Sequence, residues 1–251
     1  MPLGLNARRV PPNWALVPIK RLAQAKMRLA AVLTATERRR LSLAMAGDVL
    51  SALRRSRCLD GITVLGDAAQ DEGRIAALAA SHGCEWIQEN RDLDFAANLV
   101  TAARVLERRG VGTLAYIPAD LPCLARRDVE ALLDAHKGGV TVAVATVDNG
   151  SNALVCTPPM AIAPSYGAPS RARHLTAARE RGLAARSLVL DGFARDVDRP
   201  GDLNWLRAAA AVGIRTRAAL QAIDLARDKD HDIWLTRPAT VATVTGREAS
   251  A

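Results

Sequence analysis

The sequence predicts an α/β fold: a single three-layer domain built on a mixed, mostly parallel sheet. Short apolar runs typical of buried strands alternate with segments in which apolar residues recur at helical spacing. This alternation indicates parallel strands joined by helices that cover both faces of the sheet. Two consecutive strands, 140–147 and 152–157, lie too close together for a helical connection. We therefore expect them to pair in antiparallel fashion, which makes the sheet mixed.

The strands are predicted from apolar runs bounded by turn residues. In chain order they are 14–19, 61–67, 84–88, 112–120, 140–147, 152–157 and 185–190. The helices are predicted from apolar residues three or four positions apart, as at Leu41, Met45 and Val49. They are 36–55, 72–83, 95–110, 126–139 and 170–182, and Thr36 is the expected N-cap of the first.

Composition and sequence pattern argue against membrane-spanning, secreted and disulfide-rich proteins. No apolar run approaches the roughly 20 residues that a membrane-spanning helix needs. The first residues have arginines but no apolar segment of the kind found in secretory signals. The four cysteines are scattered, which argues against a zinc cluster and against a disulfide framework. We therefore expect a protein of the reducing cytoplasm, with no membrane partner.

The net charge of +8 has two interpretations. A basic surface could bind nucleic acid, or a basic cleft could bind small polyanions. The arginines are spread over predicted helices without a continuous basic tract, and aromatic residues for base stacking make up only 3% of the chain. These features favour small polyanions over nucleic acid.

Asp120 follows a predicted strand directly, in the run "TLAYIPADLP". In open α/β sheets, ligands bind beyond the carboxyl ends of the strands, which is where Asp120 lies. The alternative is an aspartate that starts a turn before Pro122, because both residue types favour turns. Spacing alone leaves these interpretations equally good.

A second acidic motif favours a ligand site. In "FARDVDRPGDL", Asp196 and Asp198 are two positions apart, so in an extended segment both side chains point to the same side. Two such carboxylates repel each other unless a cation lies between them. Magnesium takes oxygen ligands and binds through a few carboxylates together with substrate phosphates. Together with Asp120, the pair is therefore suited to phosphoryl or nucleotidyl transfer.

The best candidate for phosphate binding is the segment "VPIKRLAQAKMRLA" after the first strand. No P-loop motif is present, and the glycines of "GVGT" lead into a strand where a dinucleotide-binding motif would open a helix. Lys20, Lys26 and Arg28 are spaced so that their flexible cationic ends could reach one polyphosphate. The alternative interpretation is an ordinary basic surface loop.

Five separated motifs occur in the order found in one family. They are "VPIKRLAQAKMRLA", "IPADLPCL", "GSNALV", "SYGAPSRARH" and "RDVDRPGDL". With them the chain resembles the 2-phospho-L-lactate guanylyltransferases and their phosphoenolpyruvate and 3-phosphoglycerate relatives, which make the guanylylated precursor of coenzyme F-420. The resemblance covers 14–206, the expected guanylyltransferase domain. For 207–251 we expect a C-terminal helix and a mobile tail.

The resemblance implies a fold like that of the nucleotide-diphospho-sugar transferases, together with GTP, Mg²⁺ and a small phosphorylated acid as partners. It implies roles for the residues that match the motifs. Asp120, Asp196 and Asp198 match the catalytic, metal-binding carboxylates, and Lys20 and Lys26, with Arg28 nearby, match the residues that hold the GTP phosphates. We also assign Lys26 a catalytic role. Ser151, Asn152, Gly167 and Ser170 match the part that receives the phosphorylated acid, and a homodimer is compatible with the sequence.

Two departures from the family pattern affect the expected acceptor site. Pro169 stands where the family has a second glycine, which removes one backbone N–H donor. The segment "DFAANL" replaces "GLNAAL", so we predict that Phe95 and Asn98 influence the choice of acceptor. His174 matches a family position, but we expect a hydrogen-bonded structural residue there instead of a general base.

Two other functions use the same residues. A nucleotidyltransferase of this fold could act on a sugar phosphate or a molybdopterin-type acceptor. A homologue that binds GTP without transferring it would agree with the two departures, although three intact aspartates argue against lost activity.

Overall fold

A computed structural model describes residues 11–22, 25–70, 73–167 and 169–223. These residues form one sheet of seven strands with helices on both faces. The strands are β1 (Asn13–Pro18), β2 (Gly61–Gly66), β3 (Glu85–Gln88), β4 (Thr113–Tyr116), β5 (Gly139–Ala145), β6 (Gly150–Thr157) and β7 (Ala185–Leu188). The helices are α1 (Ala35–Arg55), α2 (Arg74–Ser81), α3 (Phe95–Arg108), α4 (Arg126–Ala135), α5 (Ser170–Glu180), α6 (Pro200–Ala208) and α7 (Ile214–Gln221). Short 3-10 turns lie at Met27–Leu29, Ala68–Gln70 and Asp191–Phe193.

The strand order is β3-β2-β1-β4-β6-β5-β7. β6 runs antiparallel to both of its neighbours, while every other pair in the sheet is parallel. The predicted mixed, mostly parallel sheet is therefore confirmed. The antiparallel pairing of β5 with β6 arises for the expected reason: a four-residue turn, 146–149, is too short for a crossover.

Several predicted boundaries are wrong for local reasons. Helix α1 starts at Ala35, because Thr34 is its N-cap and Thr36 is not. The Thr34 hydroxyl accepts the Glu37 N–H at 3.3 Å, and the Glu37 carboxylate accepts the Thr34 N–H at 2.8 Å, which forms a capping box. The strand predicted over 112–120 ends at Tyr116, since Pro118 has no N–H to donate to a neighbouring strand.

Two apolar layers sandwich the sheet. One layer packs α1 and α4 against residues such as Val17 and Val64, and the other packs α3 and α5 against residues such as Leu16 and Leu114. This arrangement confirms the three-layer architecture. Within the described residues, no helix has the length and apolar character needed to cross a membrane.

A third apolar cluster lies beside the carboxyl edge of the sheet and joins two loops, α6 and α7 to α1. It includes Leu29 from the Met27–Leu29 turn, Met45 from α1, Val197 from the loop that precedes α6 and Leu220 from α7. The described part of the chain beyond residue 206 thus packs into a core. The tail expected after about residue 225 lies outside the described residues.

Candidate active site

A cleft of about 650 Å³ opens at the carboxyl edge of the parallel strands. It lies between the segments that follow β1 and β4, the β5–β6 turn and the loops that precede α5 and α6. The residues predicted to bind the metal, the GTP phosphates and the phosphorylated acid all line this cleft: Lys20, Lys26, Arg28, Asp120, Ser151, Asn152, Gly167, Ser170, Asp196 and Asp198.

Lys26 lies at the centre of the charged half of the cleft. Its backbone is left-handed (φ 54°), and it caps the Met27–Leu29 turn. Its side chain is only 9% exposed, and its Nζ lies 2.5 Å from Asp120 Oδ2 and 4.0 Å from Asp198 Oδ1. Burial alone would lower the pKa of Lys26, but the carboxylate of Asp120, with smaller contributions from Asp198 and Asp196, raises the pKa above its ordinary value. The ammonium therefore stays charged at neutral pH.

The three predicted metal-binding carboxylates face the same part of the cleft. Burial, and next the nearby charge of Asp120, raises the pKa of Asp196 to about 6. Asp198 Oδ2 accepts a hydrogen bond from Arg28 Nη1 at 2.5 Å. Among the residues that the structure describes, no three His, Cys, Asp or Glu side chains come close enough to hold one metal ion. The cationic ends of Lys26 and Arg28 instead lie against these carboxylates.

Asp202 holds in place the acidic loop, residues 195–199, which carries Asp196 and Asp198. Its Oδ2 accepts the backbone N–H groups of Asp198 at 2.9 Å and Arg199 at 2.7 Å, while its Oδ1 accepts from Arg195 at 2.7 Å. Since Asp202 is the third residue of α6, these bonds also cap that helix. The Val197 N–H donates to the Asp120 carbonyl at 3.2 Å, which joins the two carboxylate-bearing loops.

The second half of the cleft is neutral and built on β6 and α5. The Ser151 N–H donates to Ser170 Oγ at 2.9 Å, and Ser151 Oγ lies 3.0 Å from His174 Nδ1. His174 Nε2 accepts the Ser165 N–H at 2.8 Å, so Nδ1 carries the ring proton and donates it to Ser151. Burial, and next the charge of Arg173, lowers the pKa of His174 to about 4. His174 is a neutral structural residue, as expected.

Asn152 and Gly167 help to shape the cleft through hydrogen bonds to backbone carbonyl groups. Asn152 Nδ2 donates to the Phe193 carbonyl at 2.9 Å, which ties β6 to the segment before the acidic loop. Gly167 has a φ of 91°, a conformation that strains other residues, and its carbonyl accepts from Arg173 at 2.7 Å. Pro169, immediately before α5, provides no side-chain cap.

An aromatic group closes one side of the cleft. The Phe95 and Tyr166 rings meet edge to face at a centroid distance of 6.4 Å, and Tyr166 meets the His174 ring at 5.8 Å. Lys20 Nζ lies 5.0 Å from the centre of the Phe95 ring, which is a cation–π contact. Tyr166 was not among the site residues predicted from the sequence, although its place beside Gly167 in "SYGAPS" was a usable signal.

Asn98 does not line the cleft, so its predicted influence on the choice of acceptor stays a prediction and would act through the loop before α3. It is 5% exposed, and its Nδ2 donates to the backbone carbonyls of Asn90, Leu93 and Asp94 at 2.9–3.2 Å. Its Oδ1 accepts the Asn90 N–H at 2.8 Å. These bonds close the loop before α3 and position Phe95 at the helix start.

A sheet with this strand order, and with cations and carboxylates at its carboxyl edge, is the architecture of a nucleotidyltransferase. Solved structures agree on the fold. A putative nucleotide-diphospho-sugar transferase from Desulfovibrio desulfuricans superposes with a TM-score of 0.67 at 17% identity, covering 85% of this chain and 95% of that one. A 4-diphosphocytidyl-2C-methyl-D-erythritol synthase from Anaerococcus prevotii superposes with a TM-score of 0.56 at 9% identity, covering 79% and 97%.

A family model described as "Guanylyl transferase CofC like" matches residues 13–227, and the chain belongs to this family. The phosphoenolpyruvate guanylyltransferase of Sphaerobacter thermophilus is 38% identical over 207 residues, which cover 79% of this chain and 94% of the relative. The 3-phospho-D-glycerate guanylyltransferase of Phenylobacterium zucineum is 33% identical over 193 residues, covering 75% and 86%.

Proposed function

We propose that the protein transfers GMP from GTP to the phosphate of a small phosphorylated carboxylic acid and releases pyrophosphate. The observation that carries the proposal is the two-part cleft, which pairs a half rich in cations and carboxylates with a neutral half of small residues. Among the three acids considered, we put phosphoenolpyruvate first, because relatives at 38%, 36% and 36% identity bear that name. The guanylylated product would enter coenzyme F-420 biosynthesis in the cytoplasm.

The proposed step is an in-line displacement at phosphorus. An oxygen of the acceptor phosphate attacks the α-phosphorus of GTP and forms a new P–O bond. The bond from the α-phosphorus to the bridging oxygen breaks, and its electron pair leaves with pyrophosphate. Because the attacking phosphate is already anionic at neutral pH, no general base is needed, in agreement with the neutral, fully bonded ring of His174.

The residues of the cleft divide the work of alignment and charge neutralisation. Lys20, Lys26 and Arg28 would bind the GTP phosphates, because they are the cationic side chains of the segment after β1 that line the cleft. Ser151 and Ser170 would receive the acid. The mutual bond of these two serines fixes their positions before the ligand arrives.

Magnesium fits the donor chemistry of the charged half. Asp120, Asp196 and Asp198 offer the oxygen ligands that magnesium prefers, and burial, followed by the negative charge of Asp120, raises the pKa of Asp196. Since no three described carboxylates converge on one point, we propose that these aspartates would hold magnesium together with oxygens of the bound phosphates. When bound, magnesium neutralises the charge on the attacking and leaving phosphates.

The direct test is incubation of the purified protein with GTP, magnesium and each acid separately. The acids are phosphoenolpyruvate, 2-phospho-L-lactate and 3-phosphoglycerate, and mass spectrometry detects the guanylylated product. We expect product with at least one acid, together with one pyrophosphate per product. Binding of GTP without product from any of the three acids would contradict the proposal.

A further inference from the structure

Helix α1 buries a guanidinium that has no carboxylate partner. Arg38 lies near the start of the helix and is only 8% exposed. Within the described residues, no Asp or Glu forms an ion pair with it, and its Nε has no hydrogen-bond partner. A buried charge without an opposite charge is unfavourable, and the positive end of the helix dipole makes this position worse for a cation.

Both hydrogen bonds of the Arg38 guanidinium go to the segment that carries the cations of the cleft. Its Nη1 donates to the Leu33 carbonyl at 2.7 Å, and its Nη2 lies 3.7 Å from Met27 Sδ. Met27 directly follows Lys26 and begins the Met27–Leu29 turn. The guanidinium therefore joins the start of that turn and the segment between the turn and α1 to the first turn of the helix.

A second unpaired polar group lies one turn further along the same helix. Ser42 Oγ is buried and has no hydrogen-bond partner among the described residues, and Ser42 lines the cleft beside Ala25 and Met27. Residues four positions apart share a helix face, so Arg38 and Ser42 lie on the same side of α1. Buried polar groups without a partner are rare in folded proteins, and these two lie next to the segment that carries Lys26 and Arg28.

We propose that Arg38 is a positioning residue of the nucleotide site, which holds the turn after Lys26 in place and adds positive charge beneath it. This proposal rests on the proposed function, since the anion that compensates Arg38 is then the phosphate chain of GTP. Arg38 does not itself line the cleft, so it acts on GTP through the turn and through its field.

The test is titration calorimetry of GTP binding to two variants of Arg38. Arg38→Met removes the charge and keeps a similar bulk, whereas Arg38→Lys keeps the charge and loses the planar guanidinium with its several N–H donors. The matched controls are Arg39→Gln and Arg40→Gln, because both neighbours are exposed. We expect Arg38→Met to weaken GTP binding by about tenfold or more and Arg38→Lys to fall between it and the wild type. The KM of the acceptor acid and the GTP affinity of both controls should stay unchanged.

A salt series separates the field of Arg38 from a purely structural effect. The decline of GTP affinity with rising salt should be shallower in Arg38→Met, whereas a loosened fold would leave that slope unchanged. A folded Arg38→Met variant with wild-type GTP affinity would overturn the proposal. If circular dichroism shows that Arg38→Met is unfolded, wild-type affinity in Arg38→Lys overturns it instead. If the wild-type protein does not bind GTP, the proposed function is refuted. That result differs from the two outcomes that would overturn the role of Arg38.

Discussion

The two halves of the cleft are built in opposite ways. The charged half is made of loops, and its ion pairs join residues far apart in the chain: Lys26 and Asp120 are 94 positions apart, and Arg28 and Asp198 are 170 apart. The neutral half is made of β6 and α5, and its hydrogen bonds join Ser151, Ser170 and His174 within a short stretch of chain. Under the proposed function, the charges that would exchange partners for a ligand lie on loops, while the groups that set shape are fixed by regular structure.

The largest effect is expected from removing one charge of the acidic pair. Asp198→Asn keeps the size of the side chain but removes a proposed metal ligand, so kcat should fall by about a hundredfold or more. The melting temperature should stay close to that of the wild type, because Asp198 is partly exposed. Steady-state kinetics and thermal melts measure both quantities. The control is Glu180→Gln at the exposed end of α5. Near-normal activity in a folded Asp198→Asn protein would exclude the assigned role.

A second test addresses the cation between the carboxylates. Lys26→Ala should weaken GTP binding by about tenfold to a hundredfold, because a charge-assisted contact to the phosphates is lost, while the KM of the acid changes little. Calorimetry with GTP checks the affinity. Lys137→Ala, an exposed lysine outside the cleft, is the matched control. Unchanged GTP affinity in Lys26→Ala would show that the segment is only a basic surface.

The choice of acceptor acid tests whether the aromatic residues Phe95 and Tyr166 have a different role from the two serines of the cleft. Phe95 lines the cleft beside Tyr166, so Phe95→Leu should change the relative use of the three acids by about tenfold to a hundredfold. Ser170→Ala should weaken the binding of all three acids together, because Ser170 is proposed to contact a group that they share. Competition assays with the acids mixed report the product ratio. The assignment is reversed if Ser170→Ala alters the ratio while Phe95→Leu preserves it.

Stability against pH should respond to a histidine outside the cleft. His136 bonds Thr141 and Thr157 at 2.8 and 2.9 Å, and burial, followed by the charge of Arg186, lowers its pKa to about 4. The unfolded chain therefore binds the proton first as the pH falls, so the contribution of neutral His136 is full above about 6.5 and is lost toward about 4. In denaturant melts between these pH values, His136→Gln should lose less stability than the wild type. Parallel curves for the two proteins would refute this prediction.

The smallest change in stability is expected from substitutions at two buried serines, Ser42 and Ser170, that differ in hydrogen bonding. Ser42 Oγ is buried without a partner, so Ser42→Ala should leave the free energy of unfolding unchanged or raise it slightly. Ser170 Oγ accepts the Ser151 N–H, so Ser170→Ala should cost about 1 kcal/mol. Denaturant melts of both variants measure the difference, and a greater loss in Ser42→Ala would contradict it.

Features of the fold that depend on local pattern could be predicted from the sequence. Strand and helix alternation predicted the mixed sheet and its layers, because burial of one face imposes a period on each segment. The strand-end position of Asp120 and the spacing of Asp196 and Asp198 predicted that they would face one cleft, which is where they lie. The N-cap was misplaced by two residues, because Thr34 and Thr36 both suit that position and only the Glu37 contact distinguishes them.

By itself, the sequence determined the order of elements, the family and the residues that meet at the carboxyl edge. Only the tertiary structure decided which partners they have. It placed Lys26 against Asp120, turned Asn98 toward its own loop and left Arg38 buried without a carboxylate. The physical reason is that periodicity records how each segment is buried, whereas a side chain chooses its partner from whatever the packed loops bring near it. No spacing along the chain records that choice.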